Sequence, residues 1–206
     1  MKLYKNETNR AVESKRIYND IEETLALAAL DVGGAATQTR KLAKKKETVL
    51  ILGAAGKSGL LCCYEAKKAV GQDGKVIGLV RNKKSKDILK YTGFCNEIIV
   101  ADAKNSNQVL NEVLRVNDGK EVDICINCVN AESTEVSSIL PVRDEGIVYF
   151  FSMETSFAKA ALGAKGAGKD VTMIIGNGYT KKHDDIILED LRECDTLRTI
   201  FKNLVD

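Results

Sequence analysis

The sequence is short of several things that reaction chemistry and partner binding draw on. It has one histidine, His183, in 206 residues. That excludes any centre needing two histidine ligands, and zinc needs three or four converging ligands in all. With no cysteine beside it, His183 reads as a helix-start or surface residue. Net charge is nearly absent too, with 31 basic against 29 acidic side chains and a balance of +2. The strongly basic face expected of a nucleic-acid binder is therefore missing. No apolar run approaches the roughly 18 residues of a membrane span. Met1 to Arg16 is charged and lacks the apolar core of a secretory signal. The expectation is a cytoplasmic protein without nucleic-acid or membrane partners.

What is present describes a globular chain, 44% hydrophobic and 29% charged. The length suits one domain with an appendage, able to bury roughly 70% of the unfolded chain's surface. Six cysteines, Cys62, Cys63, Cys95, Cys125, Cys128 and Cys194, show no disulfide-framework spacing, so a reducing compartment is the simpler reading. Cys125 and Cys128 form a C-x-x-C inside the strand-like run Val122 to Val129. Residues three apart on a strand face opposite ways, so the pair reads as buried structure rather than as redox or metal ligands.

From Thr48 onward, short apolar runs alternate with amphipathic stretches. The runs are Thr48 to Gly53, Lys75 to Val80, Glu97 to Asp102, Val122 to Val129, Gly146 to Phe151 and Val171 to Gly176. Each is apolar on both faces, as buried parallel strands are. The helix-like stretches between and after them are Lys57 to Ala69, Ser85 to Tyr91, Ser106 to Val116, Ser133 to Leu140, Glu154 to Leu162 and Asp184 to Arg192. This alternation predicts an α/β fold, a doubly wound parallel six-stranded sheet of the Rossmann dinucleotide-binding type. Residues 1–20 read as a polar segment and 21–206 as the domain, with helices over 21–46 and the sheet core over 48–206. Gly33 and Gly34 are expected to divide the helical part into two helices.

The most informative stretch is Leu50-Ile-Leu-Gly-Ala-Ala-Gly-Lys-Ser-Gly-Leu60, a strand running through a glycine loop into a helix. Glycines allow a tight turn and let backbone approach a pyrophosphate, while the helix N-terminus offers unpaired N–H groups. Gly53, Ala54, Ala55, Gly56, Lys57, Ser58 and Gly59 are the candidate contacts. Gly56-Lys57-Ser58 resembles the end of a P-loop, but that motif needs glycine at Ile51, which lies in the strand.

The second strand ends at Arg81, Asn82, Lys83 and Lys84, with no acid to meet the ribose 2′-hydroxyl of NAD. Arg81 leans toward the 2′-phosphate of NADP, though arginine can also stack on adenine. Asp102 ends the third strand and reads either as an adenine contact or as a helix N-cap. Asn130, Ser152 and Met153, at the ends of the fourth and fifth strands, are the candidates beside the nicotinamide. A self-sufficient short-chain reductase would need Tyr-x-x-x-Lys after the fourth strand; Tyr149 is followed four residues on by Met153. Tyr179 and Lys181 lie after the sixth strand and read as packing or surface residues. No catalytic acid or base is assigned.

These residues resemble the coenzyme-binding half of the medium-chain dehydrogenase/reductase superfamily. Ala28 to Leu42 is similar to the helical part that precedes its first strand, and Gly53 to Gly59 to its quinone-reductase-type loop. Ile174-Ile-Gly-Asn-Gly-Tyr-Thr-Lys181 narrows the likeness to the lysine-fermenting, diaminohexanoate-oxidising branch, over about residues 20–206. The resemblance implies NAD(P)-dependent oxidative deamination of L-erythro-3,5-diaminohexanoate to 5-amino-3-oxohexanoate with release of ammonia. It implies NAD more than NADP, against the lean from Arg81. It also implies that substrate binding and proton transfer belong to a substrate domain this chain lacks, so that the chain alone is inactive. A homodimer paired through the sixth strand is implied as well. The alternative is a stand-alone dinucleotide-binding sensor or scaffold without catalysis.

Overall fold

The computed structural model describes residues 20–176 and 178–205. The polar N-terminal segment, apart from Asp20, lies outside the described residues, as does Asn177. Helix α1 (Glu23–Leu42) leads into β1 (Thr48–Leu52), α2 (Lys57–Val70), β2 (Lys75–Val80), α3 (Lys83–Thr92), β3 (Glu97–Val100) and α4 (Ser106–Val116). Then follow β4 (Val122–Asn127), α5 (Glu135–Ile139), β5 (Val142–Phe150), α6 (Phe157–Ala167), β6 (Val171–Ile175), α7 (His183–Glu193) and α8 (Asp195–Val205). The six strands form one sheet in the order β3-β2-β1-β4-β5-β6, and every adjacent pair is parallel. This is the doubly wound α/β sheet expected from the alternation of runs.

Alternation along each strand builds a separate core on each face of the sheet. Val49, Ile51, Ile124 and Ile126 face α1, α2, α7 and α8, where Leu25, Leu61, Leu188 and Phe201 meet them. Leu50, Leu52, Cys125 and Val148 face the other way, toward Val109 and Val113 of α4 and Ala160 and Ala164 of α6. Each fully buried aliphatic side chain contributes about 1.5–3 kcal/mol. Cys125 therefore lies in one core while Cys128 packs against the other, the divergence that strand geometry requires.

Helix α1 is a single helix of 20 residues, not the pair expected at Gly33-Gly34. A mid-helix glycine disfavours helix by only about 1 kcal/mol. Here both glycines are needed for close packing. A Cβ on Gly34 would stand 2.6 Å from the carbonyl carbon of Gly178, and one on Gly33 would stand 2.6 Å from Ile187 Cγ1. The Thr180 hydroxyl donates to the Gly34 carbonyl at 3.0 Å in the same contact. Gly34→Ala is accordingly expected to destabilise the protein by about 2 kcal/mol despite alanine's better helix propensity. Thermal unfolding reads this directly; a raised melting temperature would contradict the packing account.

Helix α8 was not anticipated, although Leu197, Ile200 and Phe201 recur at helical spacing and all three are buried. Helix α6 starts at Phe157 rather than near Glu154, because Ser156 caps it by accepting from the Lys159 amide at 3.3 Å. His183 opens α7 as expected. Among the described residues no helix is long and apolar enough to cross a membrane.

Candidate functional site

Strand order reverses between β1 and β4, since the chain winds outward from β1 to β3 and then returns to build β4 on the other side. At such a switch point the loops leaving the two strands diverge and open a crevice at their carboxyl ends. A cavity of about 770 Å³ lies there. Its walls come from the loop after β1, the ends of β2 and β3, and the segment Cys128 to Ala131 after β4.

The three loop glycines serve three different ends. Gly53 has a positive φ of 76°, and a Cβ on it would stand 3.1 Å from the Cys128 carbonyl oxygen, so it makes the turn against β4. Gly59 lies inside α2, where a Cβ would stand 2.7 Å from Ala54 Cα; its bareness lets the helix rest on the loop. Gly56 is different. Its φ of −79° suits any residue, and the nearest neighbour of an added Cβ is Gly53 O at 3.5 Å. The protein does not need glycine at 56 for its own packing, and Gly56 lines the cavity.

The loop also leaves donors unspent. The amides of Gly53 and Ala54 both donate to Leu79 O at 3.0 Å, and that of Gly56 donates to Gly53 O at 3.1 Å. No side chain caps α2, and the amide that reaches the Gly56 carbonyl is that of Leu60, at 2.8 Å. The N–H groups of Lys57, Ser58 and Gly59 therefore have no intrahelical acceptor, the usual state of a first helical turn. With the helix dipole they form a site for anionic oxygen.

Of the residues singled out from sequence, Gly53, Ala55, Gly56, Arg81, Asp102 and Asn130 line the cavity. Ala54 is fully buried, and the side chains of Lys57 and Ser58 stand outside the lining, as does Gly59. Ser152 and Met153 are also outside it; Met153 is 89% exposed and the Ser152 hydroxyl accepts from the Glu154 amide at 3.2 Å. Asp102 does not cap a helix. Its carboxylate accepts from the Lys104 amide at 2.9 Å, while the N-cap of α4 is Asn105, which accepts from the Gln108 amide at 3.1 Å. Tyr179 lies edge-on to His183, ring centroids 5.3 Å apart, and neither Tyr179 nor Lys181 lines the cavity.

Three contributors went unread in the sequence. Lys104 and Ser85 line the cavity beside Arg81 and add a second cation and a hydroxyl at that end. Asn127, wholly buried at the end of β4, shapes the wall behind it. Its amide donates to the Thr134 hydroxyl at 2.8 Å and the Ser138 hydroxyl at 3.0 Å, and its carbonyl accepts from the Val129 amide at 2.9 Å. That network holds the Cys128 to Thr134 segment against α5. The only local signal was a lone polar residue ending an apolar strand.

The thiols near the loop sit in two pairs. Cys62 and Cys128 Sγ are 3.8 Å apart, and Cys95 donates to Cys63 Sγ at 3.5 Å. The hydrogen bond shared with Cys62, then burial, raise the Cys128 thiol, and burial with the Cys95 hydrogen bond raises Cys63. Both stay protonated at neutral pH, which makes them poor nucleophiles.

A parallel six-stranded sheet in this order, with a glycine turn and an uncapped helix at its switch point, is a Rossmann-type domain. Over 92% of its length the chain is 60% identical to L-erythro-3,5-diaminohexanoate dehydrogenase of Acetoanaerobium sticklandii, of which it covers 55%. It is 58% identical to the protein of the same name from Fusobacterium nucleatum over 90% of its length, covering 54% of that protein. The chain thus spans about half the length of the curated relatives it matches. No protein-family model matches it. Among solved structures, a mycobacterial protein complexed with NADPH superimposes with a TM-score of 0.71 at 18% identity, over 91% of this chain and 62% of that one. A short chain alcohol dehydrogenase from E. coli complexed with NADH gives 0.64 at 18% identity, over 85% and 49%. Both solved structures share the fold of this chain.

Proposed function

We propose that this chain is the NAD(P)-binding domain of an oxidoreductase that oxidatively deaminates L-erythro-3,5-diaminohexanoate to 5-amino-3-oxohexanoate. The observation that carries the reading is the switch-point cavity, floored by Gly56 and by helix amides that no group among the described residues uses. The pyrophosphate sits on the N-terminus of α2, with Gly56 kept bare so that backbone and phosphate can meet. The adenosine end lies between β2 and β3, with Arg81, Ser85, Asp102 and Lys104 around its ribose and base. The nicotinamide end lies along Val129 to Ala131. A dinucleotide held by Gly56 and the amides of Lys57, Ser58 and Gly59 would supply the hydride acceptor, and this chain would supply its position.

No ionisable side chain at the nicotinamide end of that lining, apart from the protonated Cys128, is available to move a proton. We therefore assign the acid–base groups to a substrate domain, corresponding to the part of the curated relatives that this chain does not cover. The same observation favours the second reading, a dinucleotide-binding sensor without catalysis. Adding the relatives' remaining half in trans separates the two: the first reading requires turnover of the diamino acid, the second none. The β6 strand stands at the sheet edge with Ile175 55% exposed, and we assign it the pairing surface of a homodimer. Six free cysteines suit the cytoplasm.

Calorimetric titration with NAD and NADP in parallel tests the central claim, and no heat from either at millimolar concentration would end it. Arg81→Ala is expected to weaken NADP about tenfold, the loss of one charge-assisted contact, and NAD hardly at all. Equal losses for the two cofactors would remove Arg81 from the 2′-position.

A further inference from the structure

On the sheet face away from the cavity, where α1, α2 and α7 meet, the protein buries charge. The side chains of Glu65 on α2 and Asp190 on α7 have no exposure at all. Both oxygens of Glu65 and Oδ2 of Asp190 lack a hydrogen-bond donor among the described residues. Buried carboxylate oxygens left in that state call for an explanation.

The surrounding cations do not supply one. Lys68 Nζ stands 3.0 Å from Asp190 Oδ1 but 3.4 Å from Glu65 Oε1, and it also donates to Glu193. Arg40 of α1 is 43% exposed, 3.7 Å from Glu65 and 3.9 Å from Glu189. Two buried carboxylates, if both ionised, would then share one half-buried ammonium that a third acid already engages. Like charges in such a setting are not both kept.

We propose that Glu65 and Asp190 hold a single proton between them, carried by Asp190 and donated to Glu65, and that its release loosens α7 and α8 from α1 and α2. One proton answers two of the three orphaned oxygens, one becoming a donor and the other its acceptor. Burial, then the hydrogen bond and charge of Glu65, push the Asp190 carboxyl up to about 8 against the pull of Lys68. The folded protein therefore keeps a proton that the unfolded chain has already lost above the ordinary carboxyl range. Stability from this group is complete on the acid side and is lost as pH rises through about 8.

The neighbours titrate elsewhere. Burial lowers the Lys68 ammonium, but hydrogen bonds to Glu193 and Asp190 outweigh it and raise the group overall. The hydrogen bond from Lys68 holds Glu193 low. Burial, then the bond it donates to Glu193, raise Tyr64. The other charges on this face are Arg40 and Glu189, which face each other, and Lys44 and Lys45, which line one pocket with Arg40, Glu65 and Lys68; Arg192 of α7 pairs with Asp20, and on α8 Asp195 pairs with Arg198 and Lys202 with Glu22. Cys194 joins α7 to α8 and accepts from the Leu197 amide.

Asp190→Asn tests this. The amide can donate to Glu65 and accept from Lys68, with no proton to lose. The wild-type melting temperature is expected to fall relative to the variant by about 5 °C between pH 6 and pH 9. Parallel profiles for the two proteins would overturn the proposal. Glu65→Gln, which removes the other carboxylate but not the burial, should give a profile shallower than wild type yet steeper than that of Asp190→Asn. Hydrogen exchange on the wild-type protein gives a reading that needs no variant. Protection in residues 183–205 should drop selectively above pH 8, and unchanged protection there would equally overturn it.

Discussion

Gly56→Val is expected to abolish dinucleotide binding while leaving the fold untouched. Most loop-glycine substitutions confuse these two outcomes, because the glycine serves the protein as well as the ligand. Gly56 does not. Its backbone is in an extended conformation open to valine, and an added Cβ meets only Gly53 O at 3.5 Å. No side-chain cap is lost either. The new methyl groups occupy the space the phosphate needs, at the mouth of the helix amides. A loss of at least ~100-fold in affinity is expected, about 2.7 kcal/mol or more, read by calorimetric titration. The melting temperature without ligand should stay within a few degrees of wild type. Retained affinity would mean that the pyrophosphate does not lie on this loop.

Gly59→Ala is expected to do the reverse, unfolding rather than unbinding. Its Cβ would stand 2.7 Å from Ala54 Cα and 2.9 Å from the Ala54 carbonyl carbon, and it would also press on Gly53 O. All three are backbone atoms at the end of the central strand, so no side chain can swing aside. The helix must lift off the sheet. The expected cost is about 3 kcal/mol, or roughly 6–12 °C in melting temperature for a chain of this size. A melting temperature unchanged within error would show that α2 can slide without penalty. Measured together, the two variants separate ligand space from packing space three residues apart.

The six strands and the glycine loop were readable because each depends on neighbours in sequence: runs apolar on both faces, and glycines at fixed offsets between a strand and a helix. What escaped reading depends on residues far apart. Gly33 and Gly34 look like a helix break because local propensity disfavours them, and their reason is Ile187 and Gly178, which approach only after the whole sheet is built. Glu65 and Asp190 look like solvent-facing acids on amphipathic helices, and burial is decided by how α7 docks. Asp102 could be read as a cap because Asp, Asn and Ser near a helix start are chemically alike; three residues further on, Asn105 has the better geometry. Ser152 and Met153 follow the carboxyl end of β5, where such sheets hold their ligands, and neither lines the cavity.

The seat of α1 has a consequence for how the protein is made. Its glycine notch is filled by a segment whose hydrogen bond spans 146 positions of sequence. At ordinary rates of synthesis, the helix leaves the ribosome roughly 7–30 s before its partner exists, so it must wait. The face it holds ready is mainly Ala26, Ala29, Gly33, Gly34, Ala35 and Ala36. Such a face offers little apolar area for wrong partners to bury against. Small residues that allow the close final fit also keep the nascent helix from sticking during the delay.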